Sequence, residues 1–133
     1  MRFQIQGRIS TFGGPQDAGV GPAEGLALVE PTDLPTWSEY FLPQQPPGTT
    51  GLARRLNPDA FYLACRWDYR QTSRAFLRSS MATVTNLQTG QSVQAKPVDW
   101  GPDRSTGRIA DLSPGLARHL GLQTDDKVEV QIP

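Results

Sequence analysis

The chain has 133 residues, 13 basic and 13 acidic side chains, one histidine and 37% hydrophobic residues. That length suits one domain with a core of its own, and a formal net charge of zero argues against a generic nucleic-acid binder, which needs a basic surplus. No stretch approaches the ~20 apolar residues that span a bilayer, and a single cysteine excludes an intramolecular disulfide or a multi-cysteine zinc site.

Phe3, Ile5 and Ile9 mark one face of an N-terminal strand, with an irregularity at Gly7. No apolar run of ~7–15 residues forms a secretory signal, which together with the lone cysteine favours a cytoplasmic setting. Residues 11–40 carry Asp17, Glu24, Glu30, Asp33 and Glu39 and no Lys or Arg. Residues 54–78 carry Arg54, Arg55, Arg66, Arg70, Arg74 and Arg78 against Asp59 and Asp68. The two stretches either face each other and pair, or give a dipolar surface with room for an anionic partner.

Gly and Pro account for 25 of 133 residues, clustered so that only short segments fit between them. Leu26–Val29 reads as a short buried strand, residues 37–42 as a strand or turn, and the proline-rich 43–51 stretch as a loop. Ala60–Trp67 is the most apolar stretch and reads as a core strand. Residues 79–85 and 91–98 alternate as a hairpin closed by Gly90. Ile109–Leu112 is a further strand. Ser113 caps a helix with Pro114 at its first position, Leu116, Ala117 and Leu120 as its stripe, and Gly121 as its end. Val128, Val130 and Ile132 mark a closing strand. The sum is a small, mainly β barrel or sandwich with one short helix and no detectable internal repeat.

The segment Ala82-Thr83-Val84-Thr85-Asn86-Leu87-Gln88-Thr89-Gly90-Gln91-Ser92-Val93 resembles a hairpin motif of double-psi β-barrel domains of the rare-lipoprotein-A and expansin-like type. Asp99-Trp100-Gly101-Pro102 and Gly107-Arg108-Ile109-Ala110-Asp111-Leu112-Ser113 resemble two further motifs of that family, in order. The helix at 116–122 and the last strand follow suit. The resemblance covers residues 80–133, about 40% of the chain, and implies a six-stranded double-psi β-barrel with one or two short helices. On that view residues 1–133 are one barrel-like domain, family-like over 80–133 and divergent, with long loops, over 1–79. The family's usual histidine motif is missing, with Leu63-Ala64-Cys65-Arg66-Trp67 in its place.

The same resemblance implies binding of a cell-wall glycan such as peptidoglycan outside the cytoplasm. If the chain is an enzyme, it is of the lytic transglycosylase or glycoside hydrolase type. Asp111 matches the acid/base of the catalytic relatives and Asp99 its companion. Cleaving a glycosidic bond needs an acid to protonate the departing oxygen. A structural role is open beside the catalytic one, because an aspartate before Gly-Pro commonly binds turn amides. Trp100 suits sugar stacking. Trp67 and Trp37 would extend the platform if exposed, although Trp67 lies in the most apolar stretch and fits a core. Arg108 completes the substrate-binding candidates. Cys65 reads as a small core residue and His119 as a surface residue. No metal site or cofactor is expected. The alternative function is a protein-interaction or protease-inhibitor-like domain that uses the 43–51 loop.

Overall fold

Six strands close into a barrel in a computed structural model describing residues 1–133. They are β1 (Phe3–Thr11), β2 (Tyr62–Cys65), β3 (Ala82–Asn86), β4 (Ser92–Trp100), β5 (Arg108–Leu112) and β6 (Lys127–Ile132). The closed order is β1-β5-β2-β4-β3-β6. Two pairings are parallel, β1 with β5 and β2 with β4, and each carries a one-residue register shift. The other four are antiparallel.

Exchanging β1 with β4, β2 with β5 and β3 with β6 maps every pairing onto one of the same sense. The barrel therefore has an internal pseudo-two-fold, as a double-psi barrel requires. The helices obey it too: α2 (Arg74–Arg78) follows β2 and α3 (Pro114–His119) follows β5. Each is capped by a serine, Ser73 accepting from the Phe76 amide and Ser113 from the Leu116 amide. No repeat is detectable in the sequence because the halves share pairing and capping geometry, not residues.

Burial along each strand follows what covers it. In β3 and β6 buried and less buried positions alternate, with Val84, Val128, Val130 and Ile132 facing the interior. In β2, and in β4 from Ala95 to Val98, consecutive residues are buried, so both faces are covered. The outer cover is the long β1–β2 connection. It holds a short helix α1 (Leu52–Arg55) and two 3-10 turns, Pro31–Asp33 and Ser38–Tyr40. Val20, Leu26, Val29, Phe41, Leu52 and Leu56 pack there against Tyr62 and Val98 as a second core. The first core, built on Ile9, Leu63, Leu112, Leu116 and the β6 valines, fills the barrel.

One sequence expectation changes here, and of the strand or turn read over residues 37–42 the turn is the one that forms. Leu26–Val29 is buried but is a tight turn closed by a Leu26–Val29 bridge, not a strand. Residues 38–40 form a 3-10 turn. The acidic and arginine-rich stretches do face each other, yet only Arg78 forms an ion pair across them, gripping Asp33 at 2.8 and 2.9 Å. Arg54, Arg55 and Arg74 donate instead to the carbonyls of Val20, Leu42 and Ala27. These arginines act mainly as donors for a turn-rich segment whose carbonyls have no sheet to join.

Within the cover, Gly51 sits where two chain segments cross. Its amide donates to Pro22 O at 2.9 Å. A Cβ there would lie 2.2 Å from Glu24 O and 2.5 Å from the Ala23 carbonyl carbon. Both neighbours are backbone and cannot rotate away. Gly51→Ala is expected to cost about 1–3 kcal/mol by overpacking, read from the urea midpoint. An unchanged midpoint would mean that the two segments part freely.

Candidate functional site

The register aligns four residues on one outward face of the barrel. Ser10 pairs with Asp111, Asp111 with Ala64, and Ala64 with Asp99, across β1, β5, β2 and β4. Directly paired residues project to the same side of a sheet. Asp111 and Asp99 thus flank the small Ala64, which forms the floor between them. With strands about 4.8 Å apart, their backbones lie about 10 Å from each other. The pseudo-two-fold exchanges Ser10 with Asp99 and Asp111 with Ala64, so only one half of the symmetric floor carries the inner carboxylate.

The covering segment builds the opposite wall and leaves an open groove of about 410 Å³. It contributes Asp17 and Glu24. The β4–β5 connection adds Asp103, and Arg108 is the single basic side chain of the lining. The groove is therefore acidic, a poor host for a polyanion.

The two sequence-predicted aspartates occupy different environments. Asp99 Oδ1 accepts from the amides of Ala27 at 2.8 Å and Trp100 at 2.9 Å. It thereby ties the covering segment to β4, the structural role that an aspartate before Gly-Pro can play. Burial still pushes its pKa up against those two bonds. Asp111 accepts no hydrogen bond from the protein. Desolvation raises its pKa to about 6, helped by the negative charges of Asp17 and Asp99 and opposed by Arg108. Arg108 lines the groove but is engaged with Asp125 at 2.9 and 3.3 Å. Asp111 is thus the carboxyl held near neutrality in an accessible place.

The tryptophans separate. Trp100 is 40% exposed at the groove edge, its indole N–H donating to Trp67 O at 2.8 Å. Trp67 is 3% exposed and donates its own N–H to Asp99 O at 2.9 Å. It offers no free face, so it supports Asp99 and Trp100 from below rather than extending a platform. Trp37 lies away from the groove, under Lys96 Nζ at 3.9 Å and the Arg78 guanidinium at 4.9 Å. Burial and the Arg78 charge lower the Lys96 pKa to about 8. Cys65 is buried, with its thiol pushed up by desolvation, as a core residue should be. His119 packs on Phe61 with ring centroids 5.1 Å apart. The 43–51 loop is braced by Gln45 to Gly51 O and by Arg55 to Pro43 O.

Sequence reasoning missed Asp17. Its carboxylate accepts from the amides of Gly13 and Gly19, which folds the first turn of the cover over the groove. The only sequence signal for it is the acidic bias of residues 11–40. No group of histidine, cysteine and acidic residues has a geometry for a metal ion. No helix is long and apolar enough to cross a membrane.

No family model matches the chain, and no curated protein matches it. Among solved structures it is similar to the rationally designed protein mkDPBB_sym1, at 15% identity and a TM-score of 0.41, over 98% of this chain and 100% of that one. That likeness is loose. The double-psi fold rests on the closed strand order and the pseudo-two-fold register described above.

Proposed function

We propose that the groove binds a β-linked cell-wall glycan such as peptidoglycan and that Asp111 cleaves it as a general acid. The observation that carries this reading is the environment of Asp111: partly buried, unbonded, with a pKa of about 6, in an open groove beside an exposed tryptophan. Below that pKa the protonated carboxyl gives its proton to the departing glycosidic oxygen as the sugar C–O bond breaks. The proton returns from the water, or the sugar hydroxyl, that adds to the freed carbon. Asp99 is a positioning residue in this scheme, since its Oδ1 holds the Ala27 and Trp100 amides. Trp100 stacks on an apolar sugar face, and Arg108 binds substituents at the groove mouth.

The test is release of soluble fragments from purified peptidoglycan. Wild type is expected to release them below pH 6 and progressively less as the pH rises past 6, because the acid form disappears. Asp111→Asn is expected to release at least about 100-fold less. Equal release by wild type and Asp111→Asn would remove the assignment. Sedimentation with the insoluble polymer measures binding separately, with Trp100→Ala expected to weaken it.

A further inference from the structure

Behind Trp100, on the side away from Asp111, lies a second cleft of about 460 Å³. Its chemistry is the reverse of the groove's. Arg66, Arg70 and Arg104 line it together with Tyr69 and Trp100, and Asp68 is its one acid. Arg70 is paired with Asp68 at 3.1 Å. The guanidinium of Arg66 forms no hydrogen bond or ion pair, although its Nε is buried. That atom is the only buried side-chain nitrogen or oxygen of the protein without a partner. Arg104 is likewise unpaired and exposed. Nearby Asp103 is occupied with the Ser105 amide. Tyr69, 39% exposed, and Trp100, 40% exposed, present rings beside these cations.

The buried Nε is itself out of a ligand's reach, but the two terminal nitrogens of the same guanidinium are neither buried nor hydrogen-bonded and are open to an acceptor. A guanidinium is shaped for an oxyanion, and a neighbouring ring suits the apolar face of a sugar. The acidic groove across Trp100 bars a continuous polyanion such as RNA, because its next charge would meet Asp111, Asp103 and Asp17. A ligand that spans Trp100 must carry an isolated negative group at one end and neutral hydroxyls at the other.

We propose that this arginine cleft is an oxyanion subsite for the carboxylate or phosphate of an acidic sugar, continuous across Trp100 with the Asp111 groove. The subsite stands on its own residues; its continuity with the groove rests on the glycan reading above.

The first experiment is a titration of the 15N-labelled full chain with glucuronate, glucose 6-phosphate and, as the neutral control, glucose. Both anions are expected to shift the Arg66 Nε and Trp100 indole signals, while glucose leaves them in place. The stronger of the two anions identifies carboxylate or phosphate as the natural group. Arg104→Glu, at an exposed position that keeps the fold, is expected to weaken anion binding about tenfold. Anions that leave Arg66 unmoved, or bind Arg104→Glu equally well, overturn the subsite.

The second experiment compares an acidic tetrasaccharide, one terminal glucuronate on three N-acetylglucosamine units, with chitotetraose. The acidic one is expected to bind about tenfold tighter, a preference lost in Arg104→Glu. Equal affinities overturn the continuity. If chitotetraose is neither bound nor cut while the small anions still shift Arg66, the glycan reading fails and the subsite stands. An oligouridine that outcompetes the acidic tetrasaccharide overturns the proposal in favour of nucleic acid.

Discussion

Asp111→Asn is expected to make the protein more stable by about 2 kcal/mol at pH 8 and by nothing at pH 4. The carboxyl has a pKa of about 6 in the folded chain and about 3.9 in an unfolded one. Between these values the folded state holds a proton that the unfolded state has released, so the stability of the wild type falls as the pH rises from 4 to 6. Below pH 4 both states are protonated and the position costs nothing. Above pH 6 the folded state carries a desolvated charge facing Asp17 and Asp99. Two pKa units correspond to about 2–3 kcal/mol, and water entering the open groove screens part of it. Asparagine keeps the shape and cannot ionise. The melting temperature of the variant should exceed that of the wild type by roughly 5–10 °C at pH 8, with the curves merging at pH 4. A gap that persists at pH 4, or none at pH 8, would mean that Asp111 titrates as an ordinary surface carboxyl. If the glycan reading holds as well, the stabilising change is the one that removes cleavage, the usual conflict between stability and a site kept poised.

Arg78→Ala is expected to cost about 2–4 kcal/mol and to loosen the cover before the barrel. This side chain grips Asp33 with two bonds, donates to Leu28 O at 2.9 Å and lies over Trp37. Its removal leaves Asp33, at 17% side-chain exposure, with only the Glu30 amide, and an unpaired, mostly buried carboxylate is costly. The ion pair is about a third open to water on the arginine side, which keeps the cost below that of a fully buried pair. Lys96 loses a repulsive neighbour and keeps Asp33, so its depressed pKa should climb from about 8 toward its ordinary value. The turn at 26–29 is held from one side by Asp99 and from the other by Arg74 and Arg78. Weakening one side should expose the cover to proteases. Limited proteolysis should cut the variant within residues 12–58 while the barrel strands remain intact, and urea unfolding should show the lower midpoint. Cleavage no faster than in wild type would mean that Asp99 and the second core suffice to dock the cover.

Much of the barrel was legible in the chain because its signals are local. Period-two alternation marks β1, β3 and β6, and Gly90, at φ 79°, closes the β3–β4 hairpin. Ser113-Pro114 and Gly121 bracket α3. The other two helices, of four and five residues, are too short for any periodicity. Leu26–Val29 carries the apolar composition of a strand and none of its pairing, since its amides and carbonyls are taken by Val98, Asp99, Arg74 and Arg78.

Asp111 and Asp99 were legible as candidates, but their roles were not. Two aspartates of the same type, 12 positions apart in the chain, differ because one meets two amides and the other meets none. One of those two bonds is local, from the Trp100 amide, and the other is created by the cover, whose Ala27 amide is 72 residues from Asp99. Exposure of the indole rings is likewise a tertiary outcome: Trp67 and Trp100 bond to each other's neighbourhoods, one facing in and one facing out.

The opening arithmetic of 13 against 13 charges also takes a definite form. By itself the sequence determines a neutral, disulfide-free chain of short strands, with the caps and turns that end them, because those choices depend on a residue and its near neighbours. Only the tertiary structure decides that the zero is an acidic groove and an arginine cleft on either side of Trp100. Charges far apart in the chain become neighbours when the barrel closes, and where each one lies relative to water and to its partners sets what it can do.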